Sequence, residues 1–147
     1  EIGVITAVDP KKNNFLAYKE VTIFKPNLKE VREGLHMPID TVDEQSLTAV
    51  HEALFATLQH RTTFITLSEK GVYYNDGTKK ALLPCHRRNI ADVSGAGDTV
   101  IATAALVYAI TKDPAIMAAI SNIAGGIVCE EVGVVPIDKA TLLAECV

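Results

Sequence analysis

Asp92-Val93-Ser94-Gly95-Ala96-Gly97-Asp98-Thr99 runs directly into Val100-Ile101-Ala102-Thr103-Ala104-Ala105-Leu106-Val107-Tyr108-Ala109-Ile110, a strongly apolar stretch of helical character. A helix that begins this way points unpaired backbone N–H groups, and the positive end of its dipole, at whatever lies above Gly95–Gly97. Such a helix mouth suits an anion, most often phosphate. Asp98 then sets a carboxylate beside that anion. A carboxylate there is a poor anion ligand but a good acceptor for the proton of an attacking hydroxyl. Backbone amides of Gly95, Ala96 and Gly97 for a phosphoryl group, with Asp98 as base, are two parts of phosphoryl-transfer chemistry.

Outward from this stretch, strand and helix signals alternate, which predicts an α/β sheet fold. Ile2–Val8 reads as a buried strand ending at Asp9-Pro10, and Val21–Phe24 as a second, stopped by Lys25-Pro26-Asn27. Asp43 to His60 carries apolar residues at Leu47, Val50, Ala53, Leu54 and Leu58, a helical spacing. Thr63–Leu67 is continuously apolar or β-branched, as parallel strands tend to be. Val72-Tyr73-Tyr74, the turn Asn75-Asp76-Gly77 and Lys80–Leu83 predict a hairpin. Helices are expected over Gly97–Thr111, Pro114–Glu131 and Asp138–Glu145, with Asp113 as N-cap and Pro114 in the first turn. No repeat or linker divides the chain, so residues 1–147 read as one domain, mainly parallel sheet with helices on both faces.

The 147 residues are 48% hydrophobic and 22% charged, so the chain is neither disordered nor fibrous. A net charge of −4 without an extended basic cluster argues against nucleic acid as the main partner. No apolar run reaches the roughly 18 residues of a membrane span. The opening Glu1-Ile2-Gly3-Val4 is no signal peptide, and the lack of an initiator Met points to a piece of a longer protein. Cys85, Cys129 and Cys146 are odd in number and far apart, which suits small apolar roles in a reducing cytoplasm. His36, His51, His60 and His86 show no ligand spacing and read as surface or helix-face residues.

Two further stretches carry candidate chemistry. In Lys25-Pro26-Asn27-Leu28-Lys29-Glu30, Asn27 and Glu30 lie on one face of a helical turn. They can hold a hydrated Mg²⁺ near phosphates, act as N-cap and capping-box partner, or do both. Thr66-Leu67-Ser68-Glu69-Lys70-Gly71 ends a strand, and open α/β sheets bind nucleotides beyond their strand ends. The plainer alternative there is an ordinary hairpin entry. Rival loops fail: Val100 occupies the third glycine position of G-x-G-x-x-G, and no Gly-Lys-Ser/Thr follows for a P-loop.

The Gly95-Ala96-Gly97-Asp98 run resembles the pfkB carbohydrate-kinase family, which includes ribokinase and the bacterial fructokinases. The flanks Asp92-Val93-Ser94 and Val100-Ile101-Ala102-Thr103 resemble most the heptose-7-phosphate kinase branch that feeds ADP-heptose synthesis. The resemblance covers nearly the whole chain but only the second half of such a kinase. Thr103 departs from the usual Gly or Ala, Ser68 replaces the first glycine of a Thr-x-Gly-x-x-Gly-like turn, and Gly133-Val134 stands for Gly-Ala. The resemblance implies a ribokinase-like fold, ATP and Mg²⁺ as cofactors, and a sugar or sugar phosphate as acceptor. Heptose 7-phosphate at its anomeric hydroxyl is favoured over ribose, fructose or fructose 1-phosphate. It further implies Asp98 as catalytic base over the Gly95–Gly97 anion hole, and Asn27 and Glu30 near Mg²⁺. Thr66, Ser68, Glu69 and Gly71 would contact phosphates and ribose, Asn122 one wall of adenine, and Lys11 a phosphate, unless Lys11 is simply an exposed lysine and the Asn122 segment simply a tight helix contact. The missing N-terminal half of the kinase would be a partner, a homodimer is compatible, and a nucleotide-binding fragment without turnover is the competing class of function.

Overall fold

The computed structural model describes residues 3–146. Strands β1 (Ala7–Val8), β2 (Ile23–Phe24), β3 (Thr62–Thr66), β4 (Val72–Asn75) and β5 (Lys80–Leu83) lie in that order in a single sheet. Helices are α1 (Leu28–Leu35), α2 (Glu44–Leu58), α3 (Ala96–Thr111), α4 (Pro114–Val128) and α5 (Lys139–Glu145). Their starts follow from capping residues. Asp43 Oδ1 accepts the Ser46 N–H at 2.7 Å, Asp113 Oδ1 accepts the Ala115 N–H at 2.7 Å, and Asp138 Oδ2 accepts the Thr141 N–H at 2.7 Å.

Strand pleating sorts the core into two layers. Ile23, Phe64, Val72 and Tyr74 face one side, packed on Val100, Ala104 and Tyr108 of α3 and Met117 and Ala118 of α4. Phe24, Ile65 and Tyr73 face the other, packed on Val31 of α1 and Leu47, Val50, Leu54 and Leu58 of α2. The helices therefore cover both faces, as expected. Gly125 lets the α4 backbone press on α3, since a Cβ there would lie 2.6 Å from Val100 Cγ2.

Three expectations are corrected. The sheet is mixed rather than mainly parallel: β1, β2 and β3 pair in parallel, β4–β5 is the expected antiparallel hairpin, and β3–β4 is antiparallel as well. Only a short turn at Ser68–Lys70 separates β3 from β4, and a parallel return needs a dozen or more residues. Secondly, the first strand is only Ala7–Val8, and Val4 is 68% exposed; Ile2 lies outside the described residues. An apolar run becomes a buried strand only where neighbours cover it, and β1 pairs on one edge alone. Below β1, reciprocal hydroxyl bonds continue the pairing, Thr6 N–H to Thr22 Oγ1 at 3.2 Å and Thr22 N–H to Thr6 Oγ1 at 3.0 Å.

Thirdly, His60 is buried just before β3, neither a surface nor a helix-face residue, while His51 lies on the buried face of α2. Thr63 Oγ1 bridges them, 2.8 Å from His51 Nδ1 and 2.5 Å from His60 Nε2, and among the described residues His60 Nδ1 has no partner. Burial lowers the pKa of both, that of His60 from 6.5 to about 4, with His51 adding to it. Folding thus favours neutral His60, and its contribution is complete above pH 6.5. Stability is lost as pH falls from 6.5 towards 4, because the unfolded chain takes up the proton first. Up to about 3 kcal/mol is at stake, at roughly 1.4 kcal/mol per pH unit. Urea midpoints measured between pH 7 and 4.5 should show this slope, and His60→Gln should flatten it.

Candidate active site

The mouth of α3 is built by a short, tied loop. Gly95 is the N-cap with φ +76°, and a Cβ there would lie 2.9 Å from Val134 Cγ1. Glycine meets both demands. Asp92 Oδ1 accepts the Ser94 N–H at 2.9 Å and the Ser94 hydroxyl at 2.8 Å, while Oδ2 accepts the Gly133 N–H at 3.0 Å. The Ser94 bond leads in holding the Asp92 carboxyl below its ordinary range. Ala91 N–H also donates to Cys129 O at 2.8 Å. Arg88 crosses Gly126 and joins Glu130 and Glu145, which fastens the same segment to α4 and α5.

At the helix start, Ala96 N–H donates to Val93 O and Thr99 N–H to Gly95 O. Among the described residues no acceptor pairs with the N–H groups of Gly97 and Asp98. Both residues are exposed. The mouth is open, its donors free for an anion.

Beneath it lies a cluster set by strand register. Ala7 pairs with Ile23 and Val8 with Phe24. One residue further, Asp9 and Lys25 fall on the Ile23 side of the sheet, the side of α3. Lys25 is 2% exposed, its Nζ 3.2 Å from Asp9 Oδ1. Lys11 Nζ is 3.2 Å from Asp9 Oδ2 and 3.7 Å from Glu30 Oε1. The hydrogen bond to Asp9 leads in raising the Lys11 pKa, and the charges of Glu30 and Asp98 add to it. Lys11, Glu30 and Asp98 thus share one locality.

Asn27 caps α1: its Oδ1 accepts the Glu30 N–H at 2.8 Å, and Glu30 Oε2 accepts the Asn27 N–H at 2.8 Å. The cap takes one oxygen of each side chain, leaving Glu30 Oε1 beside Lys11. This donor set fits a hydrated Mg²⁺ held through its waters better than a directly ligated one. Asn27→Ala should cost about 1 kcal/mol of stability through the lost cap, and Asn27→Ser only a fraction of that. Urea denaturation of the two variants checks it.

The candidate nucleotide residues form a second group. Thr66 ends β3, and its N–H donates to Pro26 O at 3.1 Å, beside Asn27. Ser68 and Glu69 are exposed in the following turn, Ser68 with φ +55°. Gly71, at φ +93°, uses its freedom inside the fold: a Cβ would lie 2.7 Å from Cys85 N and overlap Leu83 O. Asn122 Nδ2 donates to Pro84 O at 2.9 Å. Gly71 and Asn122 therefore flank the same Leu83–Cys85 segment, and the Pro26–Thr66 contact ties this group to the first.

Lys25 and Asp9 escaped the sequence reading as functional groups. The signal was the strand pleat: the residue after Ile23-Phe24 must return to the face of Ile23. Two concavities, about 540 and 300 Å³, lie elsewhere, lined by Thr48, Glu52 and Lys80 between α2 and the β4–β5 hairpin. Neither includes a predicted site residue. The α3 mouth is an open surface, unlike a closed pocket.

Comparison with known proteins places the chain in a family. The chain is 40% identical over 145 residues to the bifunctional protein HldE of Methylobacillus flagellatus, covering 97% of the chain and 29% of that protein. It is 37% identical to HldE of Alcanivorax borkumensis, over 90% of the chain and 28% of that protein. It therefore spans under a third of the length of these relatives. Phosphofructokinase-2 from Escherichia coli superposes with a TM-score of 0.78 at 16% identity, over 88% of this chain and 41% of that one. Arabidopsis thaliana ribokinase, solved with ribose and ATP, gives 0.75 at 22%, over 96% and 46%. These two show a ribokinase-like fold. Residues 4–140 match the pfkB family carbohydrate kinase model, and the chain belongs to that family.

Proposed function

We propose that residues 1–147 form the C-terminal, nucleotide-binding and catalytic portion of a kinase that moves the γ-phosphoryl group of ATP onto a sugar or sugar-phosphate hydroxyl. The observation that carries this reading is the pair of unpaired N–H groups at Gly97 and Asp98, open to solvent with the Asp98 carboxylate beside them. ATP would lie across Thr66–Gly71, with Ser68 and Glu69 near its phosphates and ribose. Asn122 would flank adenine, and Lys11 would meet a phosphate. The Gly95–Gly97 amides would receive the γ-phosphoryl group. Asp98 would accept the proton of the attacking hydroxyl as its oxygen bonds to phosphorus. Asn27 and Glu30 would hold a hydrated Mg²⁺, which supplies charge neutralisation between the phosphates.

Heptose 7-phosphate, phosphorylated at its anomeric hydroxyl, is the acceptor we favour. Its support is the resemblance of the Asp92–Thr103 stretch to that branch, together with the HldE relatives. The full-length protein, given a panel of sugars and sugar phosphates with ADP release as readout, should turn over a heptose 7-phosphate above ribose, fructose and fructose 1-phosphate. Turnover on none of them would overturn the reading.

One observation favours a narrower role for this chain alone. The mouth of α3 is open, and the chain spans 29% of the HldE of Methylobacillus flagellatus. Calorimetry on these 147 residues should then register Mg²⁺-ATP binding without sugar-dependent turnover. Turnover by the isolated chain would refute that view.

A further inference from the structure

We propose that Arg88 is a positioning residue of the transfer reaction: gripped by Glu130 and Glu145, it holds the mouth of α3 in the shape that receives the moving phosphoryl group. The proposal rests on the kinase reading above and deepens it.

Residues 84–92 are an irregular strap that joins β5 to the α3 mouth. The strap is pinned along α4 at intervals of three or four residues. Asn122 Nδ2 donates to Pro84 O at 2.9 Å, Arg88 crosses Gly126, and the N–H groups of Ala91 and Asp92 share Cys129 O at 2.8 and 3.2 Å. Positions 122, 126 and 129 are each about one helical turn apart, so a single face of α4 carries the strap.

Arg88 supplies the middle pin. Its chain neighbours Arg87 and Asn89 are exposed, yet its own side chain is only 8% exposed. Nη1 donates to Glu130 Oε2 at 2.8 Å and to Glu145 Oε1 at 3.1 Å, and Nη2 donates to Glu145 Oε2. The planar fork thus meets both oxygens of Glu145, a match that a lysine ammonium does not offer. A Cβ at position 126 would lie 2.6 Å from Arg88 Nε, so glycine there leaves the passage by which the guanidinium reaches both acids. The two carboxylate side chains are 39% and 36% exposed, and ion pairs with such exposed partners add little to global stability. Among the described residues none of α5 is buried, so its hold on the fold leans on this clasp. Geometry, rather than stability, is what a bidentate clasp provides here.

That geometry is passed to the mouth. Three residues beyond Arg88 comes the Ala91–Asp92 pin, and the Asp92 carboxylate then holds Ser94 and the Gly133 N–H before Gly95 caps α3. The free N–H groups of Gly97 and Asp98 stand at the end of this series. In the transfer step, the acceptor hydroxyl oxygen bonds to the γ-phosphorus and its proton passes to Asp98. The bond from that phosphorus to the bridging oxygen breaks, and its electron pair stays with ADP. Donors serve this step only where they meet the developing charge, and a displacement of about 1 Å can cost about a hundredfold. Arg88 reaches the reaction only through the strap.

The test uses the full-length protein and its Arg88→Gln and Glu145→Gln variants. Neither strands a buried carboxylate, because Glu130 and Glu145 both reach solvent. Calorimetry with Mg²⁺-ADP, alone and with aluminium fluoride as a mimic of the group in transit, is read beside kcat. Arg88→Gln should bind Mg²⁺-ADP within about threefold of the parent, and lose about ten- to a hundredfold in both kcat and affinity for the fluoride complex. Glu145→Gln should move the same two quantities by a smaller factor, since Glu130 still holds Nη1. An Arg88→Gln protein that keeps the parent's preference for the fluoride complex overturns the proposal and leaves the kinase reading standing. An equal loss of Mg²⁺-ADP affinity also overturns it, because the mouth would then not be the part disturbed. A parent with no preference for the fluoride complex removes the kinase reading itself. If Arg88→Gln does not fold, Glu145→Gln decides: it disturbs no core residue, and an unchanged preference refutes the clasp.

Discussion

Asp98→Asn should lower kcat of the full-length protein by about 10²–10⁴-fold, the usual worth of a positioned general base. Affinity for Mg²⁺-ATP should stay within a few fold. The substitution keeps the size and hydrogen-bonding reach of the side chain and removes its capacity to take a proton. It also leaves the N–H groups of Gly97 and Asp98 in place, so whatever anion binding they provide persists. Asp98 is exposed at the third position of α3, so its replacement opens no cavity in the core. Single-turnover kinetics beside equilibrium nucleotide binding separates the two quantities. Near-full turnover in the variant would remove Asp98 from the role of base. A loss of nucleotide affinity equal to the loss of kcat would make it a binding group instead.

Gly71→Ala should be the most damaging single change to stability among the turns, by about 2–6 kcal/mol. Two costs combine. Position 71 has φ +93° and ψ −134°, a region that residues bearing a Cβ enter at about 1–3 kcal/mol. The new methyl would also press on the backbone of Leu83–Cys85, and overpacking of this kind adds about 1–3 kcal/mol. Backbone held in the β4–β5 ladder cannot swing aside as a side chain does. Thermal unfolding should shift down by at least about 6 °C for a chain of this length. Gly77→Ala provides the contrast: it has φ +84° but nothing within 4 Å of a Cβ, so only the conformational cost applies, about 1 kcal/mol. Equal losses in the two variants would mean that the hairpin relaxes around the methyl and that conformational strain dominates at both.

The elements that were legible in the sequence are those whose causes are local. The Asp43, Asp113 and Asp138 caps, the Asn75-Asp76-Gly77 turn and the apolar face of α2 each follow from a few consecutive residues. Their helix and strand limits came within a few residues of the observed ones. The α3 mouth belongs with them, because Gly95 at a positive φ and the free amides behind it depend on a single helix start. The Asn27–Glu30 capping box was also foreseen, and helix α1 follows from it. His60 was misread, and the burial of His51 went unread, because spacing says nothing of burial. His51 sits on α2 and His60 just before β3, and only packing α2 on the sheet brings both to Thr63.

By itself, then, the sequence determined the α/β class, the open helix mouth with Asp98 at its rim, and the family to which the chain belongs. Tertiary structure decided that β4 runs against β3, that β1 shrinks to two residues, and that Lys25 lies under Gly97. The physical reason is range. Caps, turns and periodicity act over a handful of residues and leave their mark on composition. Strand register and helix docking join residues such as Asp9, Lys25 and Gly97, which no local propensity couples. Their meeting is set only when apolar Ile23 and Phe24 choose opposite faces of a sheet that both helix layers then cover.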